Sequence, residues 1–184
     1  MQISTKALRA HINHRDLVSI RRAAIDDHSI QGFVLDCSES LLLFQYVYDF
    51  HLDGFLVLRR KDITALTAGE THRFQRELLL DEGVIDHIDF DFRVPIQSFQ
   101  ALLASLALDE IVIVEDETTD PKRFLIGTVS DVGDCTATIR HFTGIARLVD
   151  PPEAIPTDRI TSCRVRTNYI SFYQRYFGRV SQLH

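Results

Sequence analysis

The stretch Ile30-Gln31-Gly32-Phe33-Val34-Leu35-Asp36, followed by Ser40-Leu41-Leu42-Leu43-Phe44-Gln45, reads as a strand opened by glycine, a short polar turn and a second strand. Ninety-five residues on, Ile126-Gly127-Thr128-Val129-Ser130-Asp131 and Cys135-Thr136-Ala137-Thr138-Ile139-Arg140 repeat the plan. Asp62-Ile63-Thr64 is answered by Arg159-Ile160-Thr161, and Phe74-Gln75-Arg76 by Tyr173-Gln174-Arg175. The offset therefore drifts from 95 to 97 to 99, as loop insertions make it. Matches that keep one order along the chain mark an internal repeat.

Working outward, each half has a helix, about five short strands and a closing helix. Phe99, Leu102, Leu103 and Leu106 recur on one helical face behind Ser98, and Glu110 to Glu115 is a β-rich run. In the first half Ala7, Leu8 and Ile12 form a helical stripe behind Ser4 and Thr5, and Leu17 to Ile20 is a strand. The spacing predicts closing helices capped by Thr71 and Asn168 and stopped by Gly83 and Gly178. Between the halves Ile88, Phe90 and Phe92 alternate with Asp89, Asp91 and Arg93, the pattern of a strand with one wet face ended by Pro95. The expected organisation is residues 1–83 as a first barrel with flanking helices, 84–95 as a connecting strand, and 96–184 as a second barrel. The expected class is α+β, mainly β, as two tandem small antiparallel barrels.

Composition bounds the function. The chain has 184 residues, 45% apolar and 25% charged, with net charge −6. That apolar share supports a packed core and excludes a disordered chain. No run approaches the ~20 apolar residues of a membrane span, and Met1 to Ala10 lacks the apolar core of a secretion signal. Cys37, Cys135 and Cys163 form no CxxC pair, so buried thiols in a reducing cytoplasm are the expectation. The charge is uneven: residues 1–92 hold 10 basic and 15 acidic residues, whereas no acid follows Asp158 and Arg159, Arg164, Arg166, Arg175 and Arg179 do.

A helix followed by five short, bent antiparallel strands resembles the Sm-like (SH3-like) small β-barrel. The region from Ile30 to Leu66 is similar to it, with Asp53-Gly54 as a tight turn, and the chain as a whole resembles tandem Sm-like proteins of bacteria. The resemblance implies assembly through strand edges and, in RNA-binding members, an Asp six residues after the strand glycine and an Asn four further on. Those positions hold Ser38 and Leu42 in the first copy, and Gly133 and Ala137 in the second. The basic second motif is answered only by Arg59-Arg60-Lys61, against Pro156-Thr157-Asp158 in the second copy.

Chemistry-bearing patterns are few. There is no GxSxG elbow and no phosphate loop, so no catalytic residue is assigned; Cys37-Ser38 with His28 or His51 is the one arrangement left open. Asp86, His87, Asp89 and Asp91 have the donors of a metal site, but the strand alternation accounts for them; no metal and no cofactor are expected. Candidate RNA-contacting cations are Arg59, Arg60, Lys61, Arg164, Arg166 and Arg175. Candidate protein-interface residues are Tyr169, Phe172, Tyr173 and Tyr176, with Phe74 and Leu78 on the first closing helix. The leading expectation is a non-enzymatic interaction or assembly module with a protein partner or a second copy. RNA binding through the basic aromatic C-terminal face, and an acidic protein neutralising a basic toxin, are the alternatives.

Overall fold

The structure, a computed structural model, describes residues 3–106 and 109–181. It is an α+β protein dominated by antiparallel strands and divides into two compact units, residues 1–98 and 99–184.

The first unit runs α1 (Thr5–His14), β1 (Leu17–Arg22), β2 (Asp26–Cys37), β3 (Leu41–Tyr48), β4 (His51–Arg59), β5 (Ala65–Thr67) and α2 (Glu70–Asp81). Neighbours in its sheet follow the order β5-β1-β2-β3-β4. Ser4 starts α1 by accepting the Ala7 N–H on its hydroxyl, at 3.2 Å. The helix then lays Leu8 against Val18, Ile20, Phe44 and Leu58 in the core.

The second unit runs α3 (Phe99–Ala104), β6 (Ile111–Asp116), β7 (Arg123–Val132), β8 (Thr136–His141), β9 (Glu153–Pro156), β10 (Ser162–Val165) and α4 (Asn168–Ser181). Its order is β10-β6-β7-β8-β9, the same permutation as the first. Among the described residues no ladder joins β5 to β4 or β10 to β9, so neither run of five strands closes on itself.

The two units agree pair by pair. Gly32, Phe33 and Val34 face Tyr46, Gln45 and Phe44; Gly127, Thr128 and Val129 face His141, Arg140 and Ile139, each residue 95 later. A bulge follows in each, leaving Leu35 and Ser130 out of register. Thr64 bonds the Arg21 carbonyl through both its N–H (2.8 Å) and its hydroxyl (3.1 Å), and Thr161 does the same to Glu115 at the same two distances. The glycines allow a close approach of the paired strands. A Cβ on Gly32 would stand 2.0 Å from the Gln45 carbonyl oxygen, and one on Gly127 2.1 Å from that of Arg140. Only glycine lets the backbones meet so closely.

Several expectations are corrected. Residues 84–95 are not a strand. Ile85–His87 form a single 3-10 turn, and the rest of the segment is irregular. Ile85 and Ile88 are buried three residues apart, while Phe90 meets the Phe33 ring edge-on at 5.7 Å and Phe92 stacks on Phe55 at 3.8 Å. Apolar alternation here serves rings that plug the core, with no neighbouring strand to pair. Helix α2 starts from Gly69, not Thr71, and α4 from Thr167, whose hydroxyl accepts the Ile170 N–H at 3.1 Å. Gly83 does end α2, at φ +69°. Gly178 does not end α4, which runs on to Ser181.

The start of α2 carries a titratable cap. His72 Nδ1 accepts the Gly69 N–H at 3.1 Å, which leaves the proton on Nε2, 2.8 Å from the Ser19 hydroxyl. Burial lowers the His72 pKa. The folded state thus prefers neutral His72, and its stabilisation is full above the ordinary histidine value and lost as pH falls through the depressed one. Thermal unfolding between about pH 8 and pH 5 is therefore expected to show a midpoint that drops below roughly pH 6.5. His72→Gln, which can hold the same cap without titrating, is expected to make that drop smaller. An equal drop in both proteins would assign it elsewhere.

Candidate functional site

Helix α4 carries only arginine among charged types, Arg175 and Arg179. Its inner face is Ile170, Tyr173 and Phe177, packed on Phe142 at the end of β8 with ring separations of 4.8 Å for Tyr173 and 4.9 Å for Phe177. The Tyr173 hydroxyl donates to the Gly144 carbonyl at 3.0 Å and lies 3.3 Å from the Tyr169 hydroxyl. The hydrogen bond with the Tyr169 hydroxyl, together with partial desolvation, pushes the Tyr173 phenol above its ordinary value.

The tie to Gly144 fixes the β8–β9 loop beside the helix and leaves a groove of about 300 Å³ between them. Ile145, Phe172, Tyr173 and Tyr176 line it. Phe172 is 68% exposed and Tyr169 and Tyr176 nearly half exposed, so a continuous apolar stripe faces outward. Ile145 adds to it from the loop, on which Leu148 is also exposed. Arg175 covers the Phe172 ring, its guanidinium carbon 4.5 Å from the centroid. Four of the interface candidates, Tyr169, Phe172, Tyr173 and Tyr176, come together here. Phe74 and Leu78 lie exposed on α2. Ile145 and Leu148 escaped the sequence reading because no periodic element contains them.

The basic candidates are dispersed by their partners. Arg164 pairs with Glu115 at 3.2 Å and Arg166 with Glu110 at 3.7 Å; neighbouring Arg159 pairs with Asp116 at 3.2 Å. Three of the five C-terminal arginines are thus balanced by carboxylates around β6. Burial alone would raise the Asp116 carboxyl. Bonds from the Thr118 hydroxyl and N–H, and Arg159 beside it, hold it below the usual carboxylate range.

The triplet Arg59-Arg60-Lys61 makes no common strip. Arg59 grips both oxygens of Asp62, at 2.6 and 3.1 Å. Arg60 is only 4% exposed and turns inward, and Lys61 alone is at the surface.

The remaining patterns resolve into local structure. The Ser38 hydroxyl accepts the Leu41 N–H and donates to the Ile96 carbonyl, while His28 holds Asp26 and His51 the Asp49 carbonyl. Cys37 and Cys163 are buried, and burial is the main cause pushing both thiols up, Cys163 to about 12. Among the described residues no three His, Cys, Asp or Glu side chains gather as metal ligands, and no helix is long and apolar enough to cross a membrane. Compared with known proteins, the chain matches no family model, no curated protein and no solved structure.

Proposed function

We propose that this chain is a non-enzymatic protein-interaction module built from two copies of an Sm-like five-strand plan, and that it binds its partner in the groove between α4 and the β8–β9 loop. The shared strand order, the paired bulges and the glycine close approaches support the duplicated plan. One observation carries the docking reading: exposed Phe172, Tyr176 and Ile145 wall a groove that Tyr173 holds open. Tyrosine and arginine around a concave apolar centre are the composition of interface hot spots. RNA binding is the weaker reading, because Arg159, Arg164 and Arg166 already face carboxylates, which leaves Arg175 and Arg179 on α4.

Co-purification from native lysate, with the wild type beside Phe172→Ser, tests this. Phe172 is so exposed that the change leaves the fold intact. Loss of a hot-spot aromatic costs about 2 kcal/mol, so partner retention is expected to fall roughly tenfold or more. Equal retention by both proteins would remove the groove from the interaction. Capture of RNA in place of protein, lost steeply with added salt, would favour the alternative.

A further inference from the structure

The hairpin joining β3 to β4 is a second exposed aromatic feature, and its backbone is unusual. Tyr48 pairs with His51, so the loop is the two residues Asp49 and Phe50, at φ +45° and +63°. Two positive φ values are the pattern of a type I′ turn, for which Asn-Gly is the natural sequence. A phenylalanine there is strained, and it keeps 44% of its surface exposed, beside Tyr48 at 59%. The turn is held rigidly, because His51 Nδ1 donates to the Asp49 carbonyl at 2.7 Å. Glycine would make this turn better. The exposed part of the ring is available for a contact outside the unit.

We infer that Phe50 of one copy inserts into the groove between α4 and the β8–β9 loop of a second copy, giving head-to-tail self-association. This rests on reading that groove as a docking site. The fit is of size and of charge. The groove, about 300 Å³, suits one aromatic side chain and its flank, and its walls are aromatic and aliphatic. The tip brings an acid, Asp49, exposed beside Phe50. The groove side brings Arg147 on the loop and Arg175 on the helix, both exposed; the loop also carries one exposed acid, Asp150, but no acid stands between Arg159 and Ser181. Each copy carries one tip and one groove, so the contact is heterologous and propagates into a chain or a ring.

Sedimentation velocity on the full chain, from about 10 μM to about 1 mM, reads the outcome, because an interface this small is weak and transient. The wild-type sedimentation coefficient is expected to rise across that range. Phe50→Gly, which relieves the backbone, is expected to melt no lower than wild type and to associate at least about tenfold more weakly. Phe172→Ser is expected to do the same. Mixing the two variants is the decisive arm, since one keeps the groove and the other the tip; a 1:1 complex that grows no further is expected. A wild type that stays monomeric at about 1 mM, or association unchanged in Phe50→Gly, overturns the inference. Neither result touches the docking reading, which falls only if a native partner is retained equally well by Phe172→Ser.

Discussion

Gly32→Ala and Gly127→Ala are each expected to cost about 3 kcal/mol or more, a large share of the stability of an ordinary domain. The added methyl has nowhere to go. At Gly32 it would meet the Gln45 carbonyl at 2.0 Å and the Phe44 ring at 2.7 Å; at Gly127 it would meet the Arg140 carbonyl at 2.1 Å and the His141 Cα at 2.6 Å. The nearest obstacle at each site is main chain, so no rotamer change relieves it. The facing strand would have to retreat by about an ångström, breaking ladder bonds that define the sheet. For a unit of about 100 residues that corresponds to a fall in melting temperature of roughly 10–20 °C. Gly178→Ala is the control. It lies inside α4 with nothing within 4 Å of a Cβ, and helix propensity alone predicts a gain of about 0.5–1 kcal/mol. Thermal melts followed by circular dichroism separate the three variants. A Gly32→Ala protein melting like wild type would mean that the two strands do not approach as described.

These two glycines also explain how much of the fold was legible. A glycine opening an apolar strand, repeated after 95 residues, is a local pattern, and the ladder registers of the units reproduce that offset. Local patterns with two physical uses are ambiguous. Ile88, Phe90 and Phe92 alternate like a strand, yet the same spacing lets a loop drop two rings onto Phe33 and Phe55. Gly178 resembles a helix stop, but α4 runs through it at a position that is itself solvent-exposed.

The candidate site was half legible. Aromatic spacing on α4 is written in the sequence, but its division into an inner face on Phe142 and an outer face along the groove depends on where the β8–β9 loop arrives. The arginines were the least legible. Their neutralising carboxylates, Glu110, Glu115 and Asp116, lie 43 to 56 residues away in the chain, so a local charge count cannot see them.

Arg60 is the clearest case, and its replacement by Met is expected to cost about 2–4 kcal/mol. The guanidinium is buried among neutral acceptors: Nη1 bonds the Thr5 hydroxyl at 3.1 Å and the Ser38 carbonyl, and Nη2 bonds the Ile3 carbonyl at 2.8 Å. One side chain thus ties the entry to α1 and its first turn to the β2–β3 turn. Methionine fills much of the volume but leaves those acceptors unpaired, and lysine lacks the planar fork that reaches all three, so Arg60→Lys should recover less than half of the loss. Cys37 reports what happens locally. Its thiol is raised mainly by burial, and the Arg60 charge partly opposes that rise. If α1 stayed docked in Arg60→Met, losing the charge would push the thiol further up and slow its reaction with a disulfide reagent. If the tie holds α1 in place, the helix opens and Cys37 reacts faster despite the higher pKa. With exposed Cys135 replaced by Ser and Cys163 remaining buried, faster labelling at about pH 8 is the expected result. Slower labelling would show that α1 is held by Leu8 and its apolar neighbours without the arginine.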